Sequence, residues 1–202
     1  MTGNEERLTR SFYERDPLMV TKELLGRYIV RETGRGKIVG KIVETEAYIG
    51  PDDKGSHTFN NKKTKRTRVQ YQERGLAYVF SIYGKNFCFC IVVGKDHEPA
   101  AALIRAVEPI TGIELMKKNR TIKTGKIKDL TNGPSKFCQA FNITAKDYGI
   151  DLCGDDSLYL TKGEPADETS ISRSPRINID YAEEWKDKKW RFYITGNKFV
   201  SK

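Results

Sequence analysis

The sequence predicts an α+β fold: one domain over residues 1–202, with a curved, mainly antiparallel sheet, flanking short helices and one protruding hairpin. Three observations carry this. Two pairs of β-type runs are joined by tight glycine turns. The helical patterns are short and individually capped. No repeat and no long linker interrupts a chain that is 38% hydrophobic and 10% aromatic, a composition that can bury one sizeable core.

The first helix is marked by Asp16-Pro17, an N-cap followed by Pro at the first helical position. Leu18, Val20, Leu24 and Leu25 form its apolar side, and Gly26 stops it. Tyr28 to Arg31 then reads as a strand. Gly34 to Gly36 turns the chain, and Lys37 to Ile49 returns beside it. This second run carries Val43-Glu44-Thr45-Glu46-Ala47-Tyr48 and closes on the turn Gly50-Pro51-Asp52-Asp53. Strand alternation puts Ile42, Glu44, Glu46 and Tyr48 on one face. Two unpaired acids are costly to bury, so that face is either solvated, as on an edge strand, or lines a polar pocket.

Gly55 to Arg74 is polar and irregular. It holds His57 and the basic block Lys62, Lys63, Lys65, Arg66 and Arg68, with Thr64 and Thr67 between. The block suits a solvated loop or a loop that contacts phosphates, where each neutralised phosphate releases counterions and threonine hydroxyls add donors. Leu76 to Tyr83 and Asn86 to Val93 form the second hairpin, through Gly84-Lys85. Its tip displays Tyr83 and Lys85. Tyr83 either folds back on the core or acts as a wedge between base pairs.

Ala100 to Val107 is an apolar run in which Arg105 needs an anionic partner or a path to solvent. Glu108-Pro109 is expected to end it, with a helix from Thr111 to Asn119. A further helix is expected from Pro134 or Ser135 to about Phe141. Lys136 near its start is a surface lysine or part of an anion site. Leu158 to Leu160 and Arg191 to Ile194 read as late strands, Gly163 to Arg176 as loop, and Tyr181 to Lys186 as a short helix.

The net charge of +9 and pI near 9.3 point to a polyanionic partner, most economically nucleic acid. Met1 to Arg10 is polar and is no secretory signal. The longest apolar run, Phe87 to Val93, is too short for a bilayer, so no membrane contact is expected. Cys88, Cys90, Cys138 and Cys153 form no CxxC pair. They read as reduced thiols of a cytoplasmic or otherwise intracellular protein, two of them in the core. No metal and no cofactor is called for, and a monomer is expected.

Four blocks, in order and at fitting separations, resemble the alkyladenine (3-methyladenine, or methylpurine) DNA glycosylase family: Val43 to Tyr48, Tyr83-Gly84, Leu103 to Pro109, and Gly133-Pro134-Ser135-Lys136-Phe137-Cys138-Gln139-Ala140. Leu24-Leu25-Gly26 and Arg191-Phe192-Tyr193 fit as well, so the resemblance covers roughly the whole chain.

The resemblance implies a barrel-like closure of the sheet. It also implies a monofunctional enzyme that flips an alkylated purine out of duplex DNA and hydrolyses its glycosidic bond, with no lyase step. Glu46 stands at the position of the water-activating carboxylate. Tyr48 and His57 stand at base-pocket positions, Phe80 at a stacking aromatic that is often Tyr, Tyr83 at the intercalating tyrosine, and Arg105 at an arginine near the active site. Lys65, Arg66, Thr67, Lys85 and Lys136 are the expected DNA contacts. Glu44 is given a structural or electrostatic role.

The chain departs from the family pattern in places. Cys90 stands where an Asn that helps exclude guanine is usual, the basic block lacks a usual proline, and Asn178 replaces a usual glycine. The competing readings are a catalytically silent binder of damaged duplex, which does not depend on Glu46, and another basic nucleic-acid enzyme or an RNA-binding domain. The acids on the Glu44–Tyr48 strand disfavour the latter.

Overall fold

The structure, a computed structural model, describes residues 6–82, 84, 86–95, 98–122 and 124–201. Among the described residues four short α-helices are present: α1 (Arg10–Tyr13), α2 (Pro17–Glu23), α3 (Ile113–Asn119) and α4 (Pro134–Ala140). They pack with eight strands: β1 (Tyr28–Thr33), β2 (Gly36–Ile49), β3 (Ala77–Ile82), β4 (Asn86–Val93), β5 (Ala100–Thr111), β6 (Leu158–Thr161), β7 (Ile171–Ser174) and β8 (Arg191–Ile194). The mixed fold with an antiparallel sheet follows the sequence reading. The strand order is β3-β4-β5-β2-β1-β6, with β8 pairing β2 and β7. This path is open: β3 and β6 lie at its two ends.

The helix starts follow their sequence signals. The Asp16 carboxylate accepts from the Met19 N–H at 2.9 Å, with Pro17 at the first helical position of α2. Alternation on β3, β4 and β5 sorts residues between two faces. Ala77, Val79, Phe89, Ile91, Ala102 and Ile104 join the main core with α2 and α4. Tyr78, Cys88, Cys90, Ala101 and Leu103 form a smaller cluster on the opposite face. That second face becomes the pocket.

Strand β2 is central, not an edge. It pairs with β5 along its length, and on its other side with β1 and then β8. Glu44 and Glu46 are fully buried, which excludes the exposed-edge alternative. Two opposed bulges interrupt the β2–β5 ladder. Ile42 pairs with Val107 and Glu44 with Ala106, so Val43 is extra; Thr45 then pairs with Ile104, so Arg105 is extra on β5. A bulge re-aims side chains. Ile42 therefore packs in the main core, and the expectation that it shares the Glu44–Glu46 face is corrected.

Other boundaries also shift. Strand β5 runs through Pro109, which pairs with Gly40 at a register shift, a place that tolerates a residue without an N–H. The following helix begins only at Ile113, because Gly112 turns the chain at φ 77°. Within the expected loop 163–176, Ile171–Ser174 pairs with β8; its polar, half-exposed residues gave no apolar signal. Three cysteines, not two, are buried: Cys88, Cys90 and Cys138, and all four are free. Among the described residues no helix is long and apolar enough to cross a membrane.

Candidate active site

A cavity of about 290 Å³ opens on the second sheet face. Tyr48, His57, Tyr78, Phe80, Cys88, Cys90, Leu103 and Arg105 line it. Strand alternation supplies most of this wall: Tyr78 and Phe80 from β3, Cys88 and Cys90 from β4, Leu103 from β5. His57 comes from the loop after β2. Its Nδ1 lies 2.7 Å from the Tyr78 hydroxyl, and its ring meets Phe80 edge-on at 4.8 Å. Burial, then the Arg66 and Lys62 cations, lower the His57 pKa, so the ring is neutral at pH 7. Burial pushes the Cys88 thiol up to about 11 and the Cys90 thiol well above its ordinary value. The floor is therefore neutral.

Glu46 lies immediately behind this wall. Its Oε2 accepts from the Tyr48 hydroxyl at 2.8 Å and lies 3.2 Å from Arg105 Nη1. Its Oε1 accepts from the backbone N–H of Ile177 at 2.8 Å. Burial opposes the Arg105 charge, but Glu46 and then Glu44 outweigh it and raise the pKa. Burial first, and the adjacent Glu46 second, raise the Tyr48 pKa well above its ordinary value, so the phenol keeps its proton. Two groups that line the cavity thus converge on one carboxylate oxygen.

Glu44 turns to the other side of Arg105. Its Oε1 accepts from Arg105 Nε at 3.0 Å, Arg191 Nε at 2.7 Å and the Ser201 hydroxyl at 2.8 Å. The backbone N–H of Ser201 donates to its Oε2 at 2.7 Å. Its oxygens are thereby taken by partners that hold the fold.

The family model described as methylpurine-DNA glycosylase matches residues 11–198. The chain belongs to that family. It is 49% identical over 203 residues to a protein of Clostridium novyi, covering 98% of this chain and 99% of the relative. It is 46% identical over 195 residues to one of Natranaerobius thermophilus, covering 96% and 98%. Both relatives are named provisionally as 3-methyladenine DNA glycosylases.

Family membership makes the chain a DNA glycosylase, and several parts of the candidate site escape a sequence reading. The Asp53–Arg176 pair is fully buried, with contacts of 2.5 and 2.8 Å. Arg176 also donates to the Ala47 carbonyl at 3.0 Å and places its guanidinium 4.7 Å from the Tyr48 ring centre. The clamp thereby fixes Tyr48 and, through the next residue, the Ile177 N–H on Glu46. Asp53 shows in the sequence only as a turn residue, and its partner is 123 positions away. Asn178 has φ 62°. Left-handed backbone favours Gly and tolerates Asn, which accounts for this departure from the family pattern. Tyr78, Tyr181 and Ser201 carried no signal of their own.

The expected DNA contacts divide. Lys65 and Arg66 are exposed, and their backbone carbonyls accept from the Tyr148 hydroxyl at 3.2 and 3.1 Å. Thr67 is buried, and its hydroxyl donates to the Lys62 carbonyl at 2.8 Å. It shapes the loop and is no free phosphate donor, which corrects that expectation. Lys136 donates to Asn132 Oδ1 at 2.7 Å beside a second cavity that also reaches Arg105. Tyr83 and Lys85 lie outside the described residues.

Proposed function

We propose that the protein, acting as one domain, extrudes alkylated or deaminated purines from duplex DNA and hydrolyses their N-glycosidic bond. Its substrates are 3-methyladenine and 7-methylguanine, extending to hypoxanthine and ethenoadenine. The observation that carries this reading is the convergence of Tyr48 and Arg105 on Glu46 at the wall of an aromatic cavity. At about 290 Å³ the cavity lies at the small end of ligand pockets, which suits one planar base.

The base enters between Tyr48 and the His57–Phe80 pair. Electron-rich rings favour a cationic alkylated purine, and neutral His57 adds no opposing charge. Water is held on the Tyr48–Arg105 side. Its oxygen bonds to the sugar C1′ as the C1′–N bond breaks, the purine leaves with the bonding pair, and Glu46 takes the water proton. The buried carboxylate also stabilises positive charge developing on the sugar. Lys65, Arg66 and Lys136 supply phosphate contacts, and Tyr83 fills the gap left by the base. The product is an abasic site in an unbroken strand.

The test is to incubate wild type with alkylated DNA and with duplexes carrying one hypoxanthine or ethenoadenine, and to separate released bases chromatographically. Free base with alkali-labile, otherwise intact strands is expected. Tight binding without release from any lesion would replace this reading with a silent binder.

A further inference from the structure

A third cavity, distinct from the one beside Lys136, adjoins the base pocket and shares Ser56, His57 and Tyr181 with it. Lys62 and Arg66 also line it. Both are exposed, and among the described residues neither pairs with a carboxylate. Tyr181 stands at the shared rim with 67% of its surface exposed. An aromatic ring left in water at a cavity mouth is apolar area without a partner.

Tyr181 is presented by a fixed frame. Its neighbours Ile179 and Ala182 are buried. Asn178 and Glu183 on either side adopt positive φ, 62° and 50°. Lys54 pins the far side through Glu183 at 2.5 Å and Glu184 at 3.5 Å. Exposed Tyr181 thus stands at the junction of two cavities, one of them also lined by two uncompensated cations. An aromatic face and paired cations are the two elements that single nucleotides require, stacking and phosphate neutralisation.

We propose that this third cavity is a subsite for the nucleotide next to the extruded one. The Tyr181 ring packs on its sugar or base, and Lys62 and Arg66 hold its phosphate. The proposal rests on the glycosylase reading and extends it from one nucleotide to two. It places the flanking nucleotide on the His57 side of the base pocket, away from Arg105.

Binding is measured with a duplex carrying one tetrahydrofuran abasic analogue, which holds no excisable base, across a salt series. Tyr181→Ala raises Kd about tenfold, within the range measured for lost base–aromatic stacking, and leaves the salt slope unchanged. Tyr181→Phe matches wild type. The double variant Lys62→Ala/Arg66→Ala lowers the slope of log K against log salt by about 0.9, the value for one neutralised phosphate. A neutral methylphosphonate at the flanking phosphate weakens wild type and leaves the double variant unaffected. All three side chains are exposed, so thermal midpoints stay at the wild-type value. The subsite is overturned if Tyr181→Ala and the double variant both bind with wild-type affinity and slope. Base release from an ethenoadenine duplex is followed in parallel. Its absence in wild type would count against the glycosylase reading alone.

Discussion

Glu44 and Glu46 sit two residues apart on one strand, both fully buried and both bound to Arg105, yet they belong to different regions. Behind Arg105, Glu44 is held by Arg191 and by the Ser201 hydroxyl and N–H. In front, among the described residues, Glu46 meets Arg105, Tyr48 and the Ile177 N–H, and all three of these residues line the cavity. The difference teaches that burial and charge pairing do not by themselves mark a working acid. What separates the two is whether the partners anchor the fold or border the cavity. The paired bulges at Val43 and Arg105 make this possible, because they aim one guanidinium between both carboxylates.

Arg105→Ala breaks the comparison at its centre. It strips the cation from two buried carboxylates and costs about 4 kcal/mol, as for other broken buried pairs. Denaturant titration should show this, with base release lost as well. Glu44→Gln removes the countercharge of Arg105 and Arg191 while leaving Glu46 in place. About 3 kcal/mol is expected, seen as a thermal midpoint lower by roughly 6–12 °C at this chain length. Release by the surviving folded protein should fall less than tenfold. Asp53→Asn leaves buried Arg176 without its charge partner and loosens Tyr48 and the Ile177 N–H together. A loss of about 2 kcal/mol and a single-turnover rate lower by about tenfold are expected, with lesion binding retained.

The smallest effect concerns pH. The His57 pKa is lowered in the fold by burial and by Arg66 and Lys62. The unfolded chain therefore takes up that proton first as pH falls. Its contribution to stability is complete above the ordinary value of 6.5 and is lost as pH drops below it. His57→Gln should flatten the acid limb of the stability profile below pH 6.5, on top of a pH-independent loss from the Tyr78 hydrogen bond and the Phe80 contact.

The sequence makes the front of the site more legible than its support. The β-type run from Val43 to Tyr48 displays its acids and aromatic by simple alternation, and the hairpins follow from their turns. Alternation also places Phe80 and Cys90 on one wall. The bulges are invisible to it, because one extra residue on each strand restores the register beyond them. That is why Ile42 moves to the main core. Asp53 and Arg176 meet across 123 positions, and no local pattern encodes such a pairing. Strand β7 is hidden by its polarity: Ser172 and Arg173 read as loop until β8 supplies their ladder partners. Thr67 shows the converse. Its residue type fits a phosphate donor, but folding uses its hydroxyl to close the loop.

The central claim is that Glu46 serves the reaction and Glu44 serves the fold. The most direct test is single-turnover base release from one lesion duplex by wild type, Glu46→Gln and Glu44→Gln, each checked for folding and DNA binding. Release falling about 10²–10⁴-fold in Glu46→Gln, the usual range for a lost general base, and less than tenfold in Glu44→Gln is the predicted result. Wild-type release by Glu46→Gln, or an equal loss in both variants, would contradict it.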